Sequence, residues 1–159
     1  VAYDELYRVP LVARWPGRIG AGSTCDQMVN LFDLMPTLLE AGGVQSGAVL
    51  DARSALPLML GETPVDWPDE VFCEYLAYQA GDMELKILRT KTHKLAVNLS
   101  DADELFDLAA DPGETTNRID DPAYRQVRDE LGTRLEAQMA RTHDPLLSTF
   151  RERMSSYLV

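Results

Sequence analysis

Apolar residues recur along this chain in short segments that are separated by turn-forming residues. Residues 9–14 are a nearly continuous apolar run, the pattern of a strand that is covered on both faces. Residues 34–41 fit a short helix, because Asp33 can cap its first turn and Gly42 and Gly43 can end it. The first part of the chain therefore predicts a strand followed by a helix.

The predicted helix carries three apolar residues on one face, Met35, Leu38 and Leu39. Glycine, proline and aspartate become more frequent over residues 44–68, which is typical of a connection between domains. One apolar patch inside that stretch, residues 55–60, predicts an additional helical turn. We place the domain boundary in this region.

From residue 70 onward the pattern is that of short β-strands. Each segment clusters or alternates apolar residues between turn signals. The four predicted strands are residues 71–76, 84–90, 94–98 and 104–107. We expect these strands to pair antiparallel, because their connections are short.

An amphipathic helix is predicted after the last strand, opened by Pro122 behind the capping residue Asp121. Its apolar positions recur at helical spacing and are Tyr124, Val127, Leu131, Leu135 and Met139. Its polar side is predicted to hold Arg125, Arg128, Asp129 and Glu136. Such a helix would cover one face of the sheet, and a further short helix is predicted within residues 146–159.

Together these elements predict an α+β fold in two parts. Residues 1–66 are interpreted as the end of a larger α/β domain, a strand and a helix, since the strand at 9–14 has few potential parallel partners downstream. Residues 67–159 are interpreted as a small four-stranded antiparallel sheet covered by a C-terminal helix. No internal repeat is evident.

Composition narrows the classes of partner. The 159 residues are 45% hydrophobic, which is enough for a real core. The net charge of −11 argues against a nucleic-acid partner, because such binding needs clustered Lys and Arg. The sequence contains no apolar run near the length of a membrane span, so no membrane partner is predicted. Its two cysteines do not make a disulfide framework.

The most informative motif lies at the end of the predicted sheet. Residues 104–108 read Glu-Leu-Phe-Asp-Leu, and residues 111–117 read Asp-Pro-Gly-Glu-Thr-Thr-Asn. Chemically this is a strand that runs into a sharp turn, set by the fixed φ of proline and the permissive glycine. The order also resembles the C-terminal signature of the sulfatase family, an aromatic-Asp-Leu strand followed by Asp-Pro-x-Glu-x-x-Asn.

Three further blocks resemble the same family in the same order. Residues 3–17 are similar to the segment that follows the sulfatase catalytic core, and residues 29–42 are similar to its Asp-x-x-Pro-Thr-Leu-Leu helix. Residues 88–98 are similar to the strand pair before the signature. Agreement of four ordered blocks over roughly residues 3–145 is improbable by chance.

The resemblance implies an intact enzyme of the alkaline phosphatase superfamily that hydrolyses sulfate esters or N-sulfates. It also implies a formylglycine, made from a Cys/Ser-x-Pro-x-Arg motif, and a calcium ion. Neither Cys25 nor Cys73 is followed by that proline and arginine, so no catalytic residue and no metal ligand is predicted here. We expect both groups upstream of Val1, in an N-terminal catalytic domain that would be this chain's partner, together with a sulfated small molecule or sugar. This chain alone is predicted to be inactive.

Four residues are candidates for contact with the substrate, because the family's C-terminal subdomain commonly leans over the cleft. They are Glu74, Tyr75, Arg89 and His93. Packing against the catalytic domain is the alternative for the first three, and a solvated turn is the alternative for His93. His143 follows the predicted helix and is interpreted as structural, favourable to the helix dipole.

Other functions stay open at this point. A phosphodiesterase or phosphonate hydrolase of the same fold would share this half of the chain, and its nucleophile would distinguish it. A binding module without catalysis is the third interpretation. The acidic group Asp101, Asp103 and Glu104 could suggest calcium, but it lacks the glycine and final glutamate of an EF-hand loop. The sequence does not indicate a cellular compartment.

Overall fold

The computed structural model describes residues 3–76 and 84–157. The chain divides into two compact units, one that contains residues up to Arg8 and from Phe72 onward, and one of residues Val9–Val71. We call them the sheet unit and the inserted unit. The predicted division at residues 66 and 67 concerned a larger catalytic domain and stays a prediction.

The inserted unit contains two short helices, α2 (Leu34–Ala41) and α3 (Leu56–Met59). Both were predicted, and Gly43, with φ of +67°, follows the end of α2 as expected. The Asp33 carboxylate does not cap α2. It accepts hydrogen bonds from the backbone N–H of Asn30 at 2.8 Å and of Arg53 at 3.1 Å, and so joins the start of α2 to the segment before α3.

The strand predicted at residues 9–14 is absent from the structure. A strand needs backbone hydrogen bonds to a neighbour, and none of the described residues pairs with this segment. Its side chains are correspondingly open, with Val12 89% exposed. On α2, Met35 and Leu38 are also exposed and Leu39 is half-buried, whereas Thr37 is buried.

The sheet unit begins with a one-turn helix, α1 (Asp4–Tyr7), and contains a four-stranded sheet whose first strand starts two residues before the division at Phe72. The strands are β1 (Glu70–Leu76), β2 (Glu84–Thr90), β3 (His93–Asn98) and β4 (Glu104–Asp107), in the spatial order β1-β2-β3-β4. The pairs β2–β3 and β3–β4 are antiparallel, with Ile87 opposite Ala96 and Leu95 opposite Leu105. The predicted strands are confirmed to within one residue.

Both faces of the sheet carry buried side chains. On one face, Leu88, Leu95 and Leu105 belong to the main core, which is completed by the helices α4 (Arg125–Arg141) and α5 (Leu147–Ser155). On the other face, Leu85, Ile87 and Ala96 form a smaller cluster against Tyr7 of α1 and Cys73. Alternation along β2 produces this division, because neighbouring residues point to opposite faces.

The predicted helical start behind Asp121 is a 3₁₀ turn, Pro122–Tyr124, and α4 itself follows it from Arg125. The Asp121 carboxylate accepts a hydrogen bond from the Ala123 N–H at 3.0 Å, and Leu131, Leu135 and Met139 are buried in the main core. Close packing between α4 and α5 explains the glycine at position 132, because a Cβ there would lie 2.5 Å from the terminal methyl of Met154 on α5.

Arg128 was predicted on the solvent-exposed, polar side of α4, but its side chain is buried, at 5% exposure. Its guanidinium lies 4.6 Å from the centre of the Tyr157 ring and donates hydrogen bonds to the carbonyls of Ile119 and Tyr157. The periodicity is sound, but α5 and the chain after it cover that side of the helix.

Among the described residues, no helix is long and apolar enough to span a membrane.

Candidate functional site

Four charged side chains meet on the face of the sheet that is opposite α4. They are Asp4 of α1, Arg89 of β2, Lys94 of β3 and Glu114 of the turn after β4, and we call them the charge network. The Arg89 guanidinium donates to both oxygens of Asp4, with Nη2 to Oδ2 at 2.7 Å and Nε to Oδ1 at 3.0 Å. The Lys94 ammonium donates to Asp4 Oδ1 at 3.1 Å and forms an ion pair with Glu114.

The charge network is balanced and largely out of water. Lys94 is 1% and Glu114 is 2% exposed, and the two acids compensate the two bases. Burial alone would raise the pKa of Asp4, but the hydrogen bonds from Arg89 and Lys94 outweigh it and hold that pKa below its usual 3.8. Asp4 is therefore an ionised anchor and not a proton donor near neutral pH.

The turn after β4 places Glu114 in this network. Its start is fixed by the Asp111 carboxylate, which accepts hydrogen bonds from the N–H groups of Thr115 and Thr116, both at 2.8 Å. Asn117 then bonds the turn to β4, since its Oδ1 accepts from the Leu105 N–H at 2.9 Å. Asp111 thus closes the turn, and Asn117 joins the turn to β4.

A second ion cluster, which we call the cleft cluster, is built around Lys86, whose side chain points to the opposite face of the sheet from the charge network. The buried Lys86 ammonium donates to Glu74 at 2.9 Å and to Asp144 at 2.6 Å. Burial by itself would lower the pKa of Lys86, but the hydrogen bonds to Asp144 and Glu74 reverse that effect and raise it. These residues line a cleft of about 330 Å³ together with Glu84 and Leu146. The cleft is lined by three carboxylates and one ammonium, and this excess of negative charge does not favour a sulfate group.

His93 lies at the turn between β2 and β3. Its N–H donates to Thr90 Oγ1 at 3.0 Å, and its Nε2 is 4.0 Å from Asp107 Oδ2. Tyr124 also donates its hydroxyl to Asp107, at 3.0 Å. The hydrogen bond from the Ala110 N–H is the main reason that the pKa of Asp107 is lowered.

The four residues predicted for substrate contact lie in different environments. Glu74 belongs to the cleft cluster, Arg89 to the charge network, and His93 to the β2–β3 turn. Tyr75 lies on β1 and is 48% exposed. Each contacts a different set of described residues, so the fold of this chain does not bring them to one point. Their role in substrate binding stays a prediction.

Sequence reasoning missed three members of the charge network, Asp4, Lys94 and Glu114. Lys94 carried a signal, because it directly precedes the apolar residues Leu95, Ala96 and Val97 in the same strand. Glu114 carried another, since it is the only charged residue between the proline and the asparagine of the motif. What the sequence cannot show is that an aspartate 110 residues before Glu114 completes the group.

The other chemically suggestive residues have structural partners. Asp103 is buried and its carboxylate accepts hydrogen bonds from Arg153 at 2.8 Å and from the Tyr157 hydroxyl at 2.7 Å. Cys25 is exposed, and burial raises the pKa of the half-buried Cys73 thiol. Across residues 3–76 and 84–157, no three side chains of His, Cys, Asp or Glu are arranged to hold a metal ion.

Comparison with known proteins agrees with this arrangement. A family profile described as N-sulphoglucosamine sulphohydrolase, C-terminal, matches residues 1–141. The chain belongs to this sulfatase family. It is 33% identical over 140 residues to an N-acetylglucosamine-6-O-sulfatase of Bacteroides thetaiotaomicron, with 84% of this chain and 25% of that protein covered.

Solved structures show the same relationship in three dimensions. A protein solved in complex with its substrate D-glucosamine-2-N,6-O-disulfate has a TM-score of 0.76 at 30% identity, with 83% of this chain and 28% of that chain covered. A phosphonate monoester hydrolase from Silicibacter pomeroyi has a TM-score of 0.73 at 27% identity, with 85% and 29% covered. The predicted family and the predicted α+β architecture are thus confirmed. The chain spans roughly a quarter of the length of these relatives.

Proposed function

We propose that this chain is the C-terminal part of an intact sulfatase-type hydrolase that cleaves sulfate esters or N-sulfates of a sugar. The observation that carries the proposal is the family match over residues 1–141. Two relatives support the sugar class, one named for 6-O-sulfated N-acetylglucosamine and one solved with a disulfated glucosamine. The role of this chain in such an enzyme is scaffolding and formation of one wall of the substrate pocket.

The residues of this chain do not fit the groups that carry out sulfatase chemistry. Neither Cys25 nor Cys73 lies in a Cys-x-Pro-x-Arg sequence, so neither can be the precursor of formylglycine. The carboxylates of Asp4, Glu74 and Asp144 already bind ammonium or guanidinium groups in the structure. Calcium and formylglycine therefore belong, in this proposal, to a catalytic domain outside this sequence.

The direct test is hydrolysis of 4-nitrophenyl sulfate and of N-acetylglucosamine 6-sulfate by the full-length protein. We expect turnover of both, and no turnover by residues 1–159 alone with or without added calcium. A heat-inactivated sample is the control for each. Release of sulfate by the isolated chain above that control would contradict the assignment of all reactive groups to another domain.

A phosphonate or phosphate diester hydrolase is the second candidate, favoured by the structural match to phosphonate monoester hydrolases. This chain contains no residue that separates the two chemistries. The kcat/KM of the same full-length protein for 4-nitrophenyl phenylphosphonate decides between them. A higher kcat/KM for the phosphonate than for the sulfate ester would favour this second function.

Tyr75 provides a test of the pocket-wall role that carries little structural risk. Its side chain is 48% exposed, so Tyr75→Ala should leave folding intact. If Tyr75 contacts the sugar, KM for N-acetylglucosamine 6-sulfate should rise while kcat/KM for 4-nitrophenyl sulfate stays unchanged. The matched control is Val65→Ala, an exposed apolar residue of the inserted unit. Equal kinetics for Tyr75→Ala and the wild type would remove Tyr75 from the proposed pocket.

A further inference from the structure

We infer that Asp4 and Glu114 are positioning residues for sugar recognition, because the charge network, in which Asp4 binds Arg89 and Lys94, fixes the end of the β2–β3 hairpin that carries His93. The inference rests on the proposed function. The effect of Asp4 and Glu114 would reach the substrate through the hairpin.

The location of the network is the first argument. Arg89 and Lys94 are direct partners in the β2–β3 register, and His93 is the residue next to Lys94. The Asp4 carboxylate binds both Arg89 and Lys94, so one anion joins the two strands at the point where the hairpin turns. A change in this anion therefore acts on the turn before it acts on the rest of the sheet.

The cost of the network is the second argument. Removing charges from water costs several kcal/mol for each ion, and a well-packed apolar cluster of the same volume is often at least as stable. Glu114 adds backbone strain, because it is a non-glycine residue with φ of +53° and is 2% exposed. Buried charges and a strained backbone thus coincide on the face of the sheet that is opposite the main core. Such coincidence favours a role in geometry over a role in stability alone.

The attachment of residues 3–8 is the third argument. This segment belongs to the sheet unit although residues Val9–Val71 form a separate unit. A helix of four residues is not stable by itself, so its position depends on contacts with the sheet. Tyr3 packs on Phe106 with ring centres 6.1 Å apart, and the Asp4 N–H donates to Glu114 at 2.6 Å. Asp4 and Glu114 therefore determine where this segment lies on the hairpin.

The test compares Asp4→Asn and Asp4→Glu in the full-length protein, with kinetics and hydrogen exchange as two readouts. For Asp4→Asn we expect faster exchange in residues 3–8 and 89–94, unchanged exchange in α4, and a KM for N-acetylglucosamine 6-sulfate raised about tenfold or more. The kcat/KM for 4-nitrophenyl sulfate should stay unchanged, because that small ester lacks a sugar. Asp4→Glu should recover part of the lost affinity.

Two further variants keep the test decisive. Lys94→Gln combined with Glu114→Gln removes one opposite pair at constant net charge, so it excludes simple attraction of the sulfate and serves if Asp4→Asn does not fold. Arg151→Gln is the matched control, since it breaks an exposed ion pair with Glu136 in the same unit. This control should leave both kinetic constants and the exchange of residues 3–8 unchanged.

The outcomes separate the inference from the proposed function. Faster exchange with unchanged KM for the sugar would overturn the inference, and so would equal loss of kcat/KM on both esters, which indicates a general structural role. Unchanged exchange in residues 3–8 would also overturn it. A wild-type protein that hydrolyses no sulfate ester would instead refute the proposed function, and the exchange data would still show whether Asp4 holds the segment.

Discussion

Leu131 provides the sharpest test of how the sheet unit is held together. It lies on the buried stripe of α4, is 3% exposed, and packs in the main core with Leu88, Leu95, Leu135 and others. Leu131→Ala removes three buried carbon atoms and leaves a cavity between α4 and the sheet. We expect the free energy of unfolding of this unit to fall by about 2–5 kcal/mol.

That loss is large compared with the total stability of a small domain, about 5–15 kcal/mol. With a urea slope of about 2 kcal/mol/M, it corresponds to a shift of the unfolding midpoint by about 1–2.5 M. The matched control is Glu130→Ala on the same helix, whose side chain is 63% exposed and 3.8 Å from Arg134. Because an exposed i,i+4 pair contributes about 0.5 kcal/mol or less, this variant should hardly move the midpoint.

The chain supplies its own internal reference for this experiment. Both tryptophans, Trp15 and Trp67, lie in the inserted unit, whereas α4 supplies most of the helix in the sheet unit. Tryptophan fluorescence therefore follows one unit, and the circular dichroism of helices mainly follows the other. A dichroism midpoint for Leu131→Ala that equals that of Glu130→Ala would refute the assignment of the buried face.

Two further outcomes follow from single contacts. Asp121→Ala removes the cap of the segment that leads into α4 and should cost about 1 kcal/mol in a urea titration, with recovery in Asp121→Asn; no loss in either would contradict the capping role. In the folded state, hydrogen bonds to Asp144 and Glu74 outweigh burial and raise the pKa of Lys86 above its usual 10.5. The contribution of the cleft cluster to the free energy of unfolding is therefore complete below pH 10.5 and is lost as the pH rises through the folded pKa. Lys86→Met should therefore be less stable near neutral pH and show a shallower loss of stability above pH 10.5, and an unchanged alkaline slope would contradict the raised pKa.

Local signals predicted most of the sheet unit. The four strands, the cap at Asp121 and the buried stripe of α4 all depend on residues close together in sequence, where alternation, turn chemistry and helical spacing act directly. The short helix over 34–41 was also placed correctly. These elements were predictable because each one agrees with the intrinsic preferences of its own residues.

The failures have a common physical origin. Residues 9–14 have the composition of a buried strand, but pairing needs a partner that local sequence does not specify. Arg128 fits the polar side of α4 by periodicity, yet the last helix covers that side. The charge network was missed because Asp4 and Glu114 are 110 residues apart. Long-range contacts decided all three cases.

The family was indicated by a different kind of signal. Resemblance of ordered motifs, not physical pattern, indicated a sulfatase, and the family profile confirms it. The candidate pocket residues Glu74, Tyr75, Arg89 and His93 could not be ranked from sequence. Two of them are engaged in ion pairs inside this chain, which the sequence alone could not indicate.

The separation of Asp4 from its partners has a consequence for synthesis on the ribosome. Arg89, Lys94 and Glu114 follow Asp4 by 85, 90 and 110 residues. At about 5–20 residues per second, the first residues would wait roughly 5–20 s for the last of these side chains to leave the exit tunnel. During that interval α1 lacks its binding surface, so a nascent chain that pauses before Glu114 has been added should be unusually sensitive to proteases and dependent on chaperones.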